Sequence, residues 1–198
     1  MRTFVLRARD GTTRPERVKS QIGSKGHLEV VAHTIINAFF LSSGFREDVE
    51  VYIVLESTPD FPRTLKFSSS EGLSFAGFHE QAIFDVIEHA LRTGHSMYKD
   101  ETRSVSSGLQ ISAFGFERLV QSMLSNRPLY LLDKKGEDIR TATIGADPVF
   151  LLSDHLVMPK KSVKGFMRHG LTPLSFGSTM LFASQCVVIA HYELDRRV

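Results

Sequence analysis

Three short, uninterrupted apolar runs in the last third of the chain restrict its fold more than any other feature. They cover residues 129–132, 149–152 and 171–174. A strand that is apolar along its whole length must be buried on both faces, which is typical of parallel strands with helices on each side of the sheet. We therefore expect an α/β fold with a mostly parallel sheet and helices on both faces.

The rest of the chain alternates helix and strand patterns, as such a fold requires. Residues 28–41 carry apolar side chains at helical spacing, and further helices are expected near residues 79–92, 113–123 and 159–170. A last helix is expected from Ser178 or Thr179, both suitable N-caps. Strands are expected at residues 3–8 and 49–55, with a hairpin of residues 64–67 and 73–75 and a polar connection at 93–107. Because no repeat or linker interrupts the series, residues 1–198 are interpreted as one domain.

The composition excludes several classes of protein. Cys186 is the only cysteine among 198 residues, so an intramolecular disulfide or a Cys-based zinc site is excluded. The longest apolar stretch, residues 28–41, is too short and too polar to cross a bilayer, and we expect no signal peptide. The chain is expected in the reducing cytoplasm, without a metal. Its formal charge of +2 permits a polyanionic partner without requiring one.

Familiar catalytic motifs are absent or poorly arranged. Neither the P-loop pattern nor G-x-G-x-x-G occurs, which argues against P-loop hydrolases and standard dinucleotide sites. Ser153, Asp154 and His155 are adjacent, whereas the members of a hydrolytic triad converge from separate segments. Cys186 and His191 do not share a helix face, so the cysteine is interpreted as a small apolar residue.

Polar loops follow the three apolar runs, at residues 133–136, 153–155 and 175–178. In open α/β sheets, ligands bind beyond the carboxyl ends of the strands. The third loop also leads toward a helix N-terminus, whose free N–H groups favour a carboxylate or phosphate. These loops predict a small-molecule site.

A long polar segment, residues 9–26, follows the first expected strand. It carries Arg9, Arg14, Arg17, Lys19 and Lys25 against two acidic residues. Loops of this length in compact domains are often functional. The alternative is a solvated surface loop without a ligand.

Four stretches together resemble one known family. They read GHLEVVAHTIINAFFLSSGFREDVEVYIVL, LYLLDKKGEDI, FLLSDHLVMP and LTPLSFGSTMLFASQCVVIAHYELDRR. In their order and spacing they are similar to the archaeal tRNA pseudouridine-54 N1-methyltransferase family of SPOUT methyltransferases. The most specific is the last, with a Leu-Ser-x-Gly turn, a capped helix, a cysteine and an H-x-E-L-D-R tail.

The resemblance implies an α/β fold with a deep C-terminal trefoil knot, a homodimer, a tRNA substrate and S-adenosylmethionine bound in the knot. No membrane or metal partner is implied. The residues that it places around the cofactor are Leu132, Ser153, Leu174, Ser175, Phe176, Gly177, Leu181 and Cys186. Such a site suits adenine, which needs an apolar slot with backbone donors and acceptors. Cys186 is then a wall of the pocket and not a nucleophile.

Two positions depart from the family pattern. Gly26-His27-Leu28-Glu29 stands where a GR-x-D-like helix start is expected, and Ser153 replaces the glycine of Gly-Asp-His. We therefore expect the cofactor site to be retained and the substrate site to differ. Methylation of N1 of pseudouridine requires a group on the protein that accepts the proton leaving this nitrogen. The candidate catalytic residues are Glu29, Asp154 and His155, and the candidate RNA-binding residues are Arg7, Arg9, Arg14, Arg17, Lys25 and His27.

Two other functions stay open at this point. The chain could be a catalytically silent RNA-binding member of the same fold, or a methyltransferase that acts on a small molecule. Binding of S-adenosylmethionine is expected of an enzyme and not of a silent protein that has lost the cofactor, so a binding measurement distinguishes the two. Salt-sensitive binding of RNA separates an RNA methyltransferase from a small-molecule enzyme.

Overall fold

The computed structural model describes residues 1–197 and contains a large mixed sheet. The strands are β1 (Arg2–Thr12), β2 (Phe40–Leu41), β3 (Gly44–Phe45), β4 (Val49–Ser57), β5 (Arg63–Ser68), β6 (Thr102–Ser106), β7 (Leu109–Ser112), β8 (Leu129–Asp138), β9 (Val149–Ser153) and β10 (Thr172–Ser175). The helices are α1 (Leu28–Phe39), α2 (Glu80–Thr93), α3 (Phe116–Leu124), α4 (Lys160–Met167) and α5 (Ala183–Asp195). None of the described helices is long and apolar enough to cross a membrane.

The main sheet has the order β10-β8-β9-β1-β4-β5-β7-β6. The first five strands in this order pair in parallel, and β5, β7 and β6 continue the sheet with antiparallel pairs. The three apolar runs therefore form neighbouring parallel strands, as the sequence predicted. The carboxyl ends of β1, β9, β8 and β10 consequently lie along one edge of the sheet.

Alternation along β1 assigns the two faces of the sheet. Phe4, Leu6 and Ala8 are buried in the larger core with α1, α2 and α5. Val5 points to the opposite face and is buried with Phe116 of α3 and Phe166 of α4. This side-chain period of two, with both faces covered, explains why the strand is apolar almost throughout.

Four details of the sequence-based prediction are wrong. No strand covers residues 73–75, because β5 pairs with β4 and β7. The region expected as a polar connection contains β6, which turns into β7 through Gly108 at φ +67°. β1 extends to Thr12 and so takes in the start of the expected loop. The last helix begins at Ala183, and the side chain of Gln185 accepts from the backbone N–H of Phe182.

β8 and β10 pair in two separate registers. Leu131 lies opposite Pro173, but Leu174 lies opposite Glu137, so residues 132–136 leave the ladder and rejoin it. At the point of return Gly136 passes directly against the backbone of β10. A Cβ at this position would lie 2.5 Å from the carbonyl carbon of Pro173. The deep trefoil knot, a property of the whole chain path, stays a prediction.

Candidate active site

The ends of β1 and β9 are held together by a carboxylate. Arg7 lies opposite Ser153, and the N–H of Asp154 donates to the carbonyl of Arg7 at 3.2 Å. Oδ2 of Asp154 accepts from the N–H of Arg9 at 2.9 Å, and Oδ1 accepts from the N–H of Leu156 at 2.9 Å. Both oxygens of Asp154 therefore hold the loop in place, a positioning role.

Two imidazoles and two carboxylates meet beside this loop. The rings of His27 and His155 are in edge contact, with centroids 4.4 Å apart. Nδ1 of His27 lies 3.3 Å from Oε1 of Glu29, and Nε2 of His155 lies 3.8 Å from Oδ2 of Asp10. The order across the site is therefore carboxylate, imidazole, imidazole, carboxylate. We call these residues (Asp10, His27, Glu29 and His155) the histidine cluster.

The loop between β1 and α1 delivers His27 to this position. Gln21 fastens the loop to β1, since its amide donates to the carbonyl of Asp10 at 3.1 Å and accepts from the N–H of Thr12 at 2.9 Å. His27 itself is left-handed, with φ 44° and ψ 46°, directly before α1 begins. That conformation costs a residue with a Cβ about 1–2 kcal/mol, so the fold maintains it against local preference.

Glu29 is held in its ionised form. Burial raises the pKa of its carboxyl, but hydrogen bonds from its own N–H, from the N–H of Gly23 and from His27 outweigh burial and lower the pKa overall. A carboxylate of low pKa is a weak base, so Glu29 places a fixed negative charge beside the imidazole of His27. The arrangement can therefore orient the imidazoles and stabilise the charge that one of them gains.

Arg7 is withdrawn from solvent and is already paired. Its guanidinium lies 3.0 Å from a carboxylate oxygen of Glu56 and 3.0 Å from one of Glu117, and it lies over the ring of Phe116. Since its exposed fraction is 7%, Arg7 presents no charge to a phosphate. We therefore remove Arg7 from the predicted RNA-binding residues.

The other cations predicted to bind RNA are differently placed. Arg17 and Lys25 are exposed, and Arg9 and Arg14 are partly exposed. Within residues 1–197 no carboxylate pairs with any of these four, whereas Lys19 of the same segment lies 3.1 Å from Asp85. The histidine cluster also includes one residue that sequence reasoning missed, Asp10. It belongs to no motif, and only its place at the end of a central strand could have indicated it.

The predicted cofactor residues lie on β8, β9 and β10, in the turn after β10, and in or just before α5. Leu174 is buried in the larger core, and Leu132, Phe176 and Cys186 pack against that core while partly exposed. Burial raises the pKa of the Cys186 thiol to about 11, so the thiol stays neutral and is a poor nucleophile. This environment fits the wall of an apolar pocket.

The turn after β10 is held by Ser175. Its Oγ donates to the carbonyl of Lys134 at 3.4 Å and accepts from the N–H of Gly177 at 3.1 Å. Gly177 has φ +114°, and a Cβ there would meet nothing within 4 Å, so the backbone is open to a ligand. Leu181 is partly exposed in the segment before α5, and Ser153 is partly exposed at the end of β9.

Two surface grooves lie elsewhere in the described part of the chain. One, of about 630 Å³, runs between α3 and α4, and the other, of about 390 Å³, crosses the exposed face of β4, β5 and β7 beside α3. Neither is lined by a residue predicted to contact the cofactor. Within residues 1–197, no group of three or more His, Cys, Asp or Glu side chains is arranged to hold a metal ion.

Residues 1–198 match a protein-family model described as "Putative SAM-dependent RNA methyltransferase". Among similar curated proteins, one from Photobacterium profundum is 46% identical over 195 residues, covering 98% of each chain. One from Vibrio campbellii is 46% identical over 197 residues, covering 100% of this chain and 99% of the relative. One from Shewanella baltica is 45% identical over 195 residues, covering 98% of each. All three carry the name "Putative pseudouridine methyltransferase".

Among solved structures, the fold is similar to Nep1 of Archaeoglobus fulgidus, crystallised with S-adenosylhomocysteine. The TM-score is 0.64 and the sequence identity 10%, over 98% of this chain and 97% of the other. At this identity the likeness establishes the fold alone, which is the SPOUT fold expected from the sequence. With its full length matched by the family model and by relatives above 40% identity, the chain belongs to the family of SAM-dependent RNA methyltransferases.

Proposed function

We propose that this protein transfers a methyl group from S-adenosylmethionine to N1 of a pseudouridine in RNA, with tRNA as the substrate. The observation that carries the proposal is the histidine cluster at the carboxyl ends of β1 and β9. It supplies a proton acceptor at the edge of the sheet where ligands of α/β folds bind. The names of the family and of the curated relatives support the choice of reaction.

When bound, S-adenosylmethionine supplies the methyl group. The residues that would hold it are the apolar wall of Leu132, Leu174, Phe176 and Cys186 and the open turn at Gly177, with Ser153, Ser175 and Leu181 at its margins. The neutral thiol of Cys186 and the space beside Gly177 fit an uncharged adenine. The chain contributes by placing the reacting atoms in line, which supplies much of the rate in such a transfer.

The histidine cluster accepts the proton that leaves N1 of the pseudouridine. N1 would form its new bond to the methyl carbon that S-adenosylmethionine supplies, with S-adenosylhomocysteine as the co-product, so the N1–H bond must break. The N1 proton passes to His155 or His27, whose rings touch. Glu29 and Asp10, at either end, stabilise the resulting imidazolium. Asp154 orients the loop, because both of its oxygens accept backbone N–H groups.

RNA would reach the cluster across the end of β1 and the segment that follows it. We assign phosphate contacts to Arg9, Arg14, Arg17 and Lys25, with His27 at the target base. Since these four cations have no carboxylate partner within residues 1–197, their charge is available to a polyanion. The single cysteine supports a reducing cytoplasm as the place of action.

We further propose a homodimer, on different residues from those the sequence indicated. The apolar side chains of α1, including Leu28, Val31 and Ile35, are buried inside the chain and are not available to a second copy. Exposed apolar side chains come instead from α5 and the segment before it: Met180, Phe182, Val188 and Tyr192. An apolar surface of this kind favours contact with a second copy.

The reaction is tested with the purified protein and with cells. Methyl-labelled S-adenosylmethionine and tRNA from a strain lacking the gene should give labelled N1-methylpseudouridine by mass spectrometry, and that nucleoside should be missing from the RNA of the strain itself. Label in another nucleoside would contradict the choice of base, and absence of any label would contradict the activity.

The cofactor site is tested by calorimetry with S-adenosylhomocysteine. Cys186→Trp should abolish binding while circular dichroism stays that of the folded protein, because the larger ring fills the pocket. Cys186→Ser, close in size, should retain binding. Unchanged affinity in a folded Cys186→Trp protein would remove Cys186 from the pocket wall.

A further inference from the structure

A long part of the chain carries positive charge without any negative charge. Residues 155–192 contain no Asp or Glu. Four cations of this part stand close together in and after α4, namely Lys160, Lys161, Lys164 and Arg168. In a chain with nearly balanced charge, such a segment is a local excess that needs an explanation.

Helical geometry gathers the four cations on one side of α4. At about 100° per residue, their positions fall within an arc of about 100°. Arg168, the C-cap, keeps helical backbone angles. The other side of the helix bears Phe166, buried in the smaller core, and Val163, packed against it. All four cations are exposed, and within residues 1–197 none forms an ion pair with a carboxylate.

Contacts connect α4 to the end of β1. Oγ of Ser162 donates to a carboxylate oxygen of Glu117 at 2.8 Å, and Glu117 pairs with Arg7. Just before α4, the sulfur of Met158 lies 3.9 Å from the same guanidinium. The carbonyl of Arg7 in turn accepts from Asp154, at the start of the loop that carries His155. α4 is therefore connected, through Ser162 and Met158, to the end of β1 that borders the candidate active site.

The groove between α3 and α4 borders this cationic side, and Lys161 is the one of the four cations that lines it. Its volume is about 630 Å³, and its lining combines apolar with cationic and hydrogen-bonding groups, including Leu124, Phe166, Lys161 and His169. A nucleotide presents the matching combination, a flat apolar base beside a charged phosphate.

We propose that α4 and the groove beside it form a second RNA-binding surface, which holds phosphates of nucleotides flanking the one that is modified. The inference rests on the proposed function, because an enzyme that acts on RNA must hold the strand on more than one side of the target base. RNA is favoured over an anionic membrane because α4 is connected to the strand end that borders a candidate site for chemistry on RNA.

The test is the salt dependence of RNA binding. The probe is a fluorescently labelled RNA stem-loop with pseudouridine in its loop, and the variant is Lys160→Gln/Lys164→Gln. Loss of two contacts to single-stranded phosphates should lower the slope of log K against log salt by about 1.4, and affinity should fall at low salt. The charge-preserving variant Lys160→Arg/Lys164→Arg should restore slope and affinity. Lys99→Gln, an exposed cation between α2 and β6, should leave both unchanged.

The outcomes separate this inference from the proposed function. If the unaltered protein binds the stem-loop and transfers methyl, but Lys160→Gln/Lys164→Gln leaves the slope unchanged, the α4 surface is overturned and the proposed function stands. The surface is also overturned if vesicles of phosphatidylglycerol bind through these lysines while RNA affinity is unaltered. If the unaltered protein neither binds RNA nor transfers methyl, both fail together.

Discussion

Among single residues, Arg7 has the most demanding electrostatic environment. Its guanidinium is buried and balanced by the carboxylates of Glu56 and Glu117. Arg7→Met removes the cation and leaves the Glu56 carboxylate, itself largely buried, without its partner. We expect a loss of about 3–5 kcal/mol in the free energy of unfolding, measured with urea.

Arg9→Met is the matched control, two residues along the same strand. Within residues 1–197 its guanidinium has no carboxylate partner, so stability should change by no more than about 0.5 kcal/mol. RNA affinity should fall in this variant instead. Equal destabilisation by both variants would contradict the assignment of Arg7 to the fold.

Glu29 is the residue at which the proposed chemistry is most directly tested. Glu29→Gln removes the negative charge beside His27, while size and most hydrogen bonding are kept. The single-turnover rate of methyl transfer should fall by up to about 100-fold, because Glu29 supports the base and does not itself take the proton. RNA affinity should be unchanged. A normal rate would exclude Glu29 and leave His155 with Asp10 as the pair that removes the proton.

At the level of elements, the crossing of β8 and β10 depends on one missing side chain. Gly136→Ala places a methyl group against the backbone of Pro173 and Leu174, which cannot move without breaking the ladder. We expect a loss of about 2–3 kcal/mol in stability. Gly165→Ala in α4 is the control, because a Cβ there meets nothing within 4 Å. Gly165→Ala should stabilise the protein by up to about 1 kcal/mol. Urea unfolding should therefore show a lower free energy of unfolding for Gly136→Ala and a higher one for Gly165→Ala.

The packing of α5 on α1 and β1 depends on a neutral imidazole. His191 is buried; its Nε2 donates to the carbonyl of Ala38 at 3.1 Å, and its Nδ1 accepts from Arg2 at 3.2 Å. Burial, with the charges of Arg46 and Arg2, lowers its pKa to about 3, against the opposing effects of the hydrogen bond with the backbone of Ala38 and of the charge of Asp195. Asp195, paired with both arginines, has a pKa of about 2 and remains charged far below neutral pH.

Stability should therefore fall as the solution is acidified. The unfolded chain protonates His191 below about pH 6.5, whereas the folded protein does not until about pH 3, so protons favour unfolding between these values. From pH 7 to about pH 4.5 this residue should account for about 2–3 kcal/mol of lost stability. His191→Gln should flatten the pH dependence, and His89→Gln, exposed on α2, should not. The same slope in both variants would assign the effect to other groups.

At the level of the whole molecule, the exposed apolar side chains of α5 predict association. Light scattering at micromolar concentration should give the mass of two chains. Val188→Asp/Tyr192→Asp should give the mass of one, because it places charge on an apolar contact surface. Met167→Asp, an exposed apolar residue of α4, should leave the dimer intact. A single-chain mass for the unaltered protein would contradict the dimer.

The sequence predicted the parallel part of the fold better than the antiparallel part. Residues 129–132, 149–152 and 171–174 are apolar throughout because both faces of their strands are covered, and that cause leaves a local signal. β6 lies at the edge of the sheet with alternating exposed and half-buried side chains, so it has no such signal. β5 pairs with β7, which lies more than 40 residues later in the chain. This pairing therefore depends on the assembled sheet and not on the local sequence.

The sequence by itself determined the fold class, the edge of the sheet at which a site is expected, and the family, because these depend on side-chain periodicity and on motifs that are local in the chain. Only the tertiary structure decided which polar residues lie together. Asp10, His27 and His155 meet because β1 and β9 are neighbours in the sheet, although they lie far apart in sequence. The structure alone also separated Arg7, whose charge is neutralised inside the core, from the cations of α4, because the availability of a charge depends on its neighbours in space.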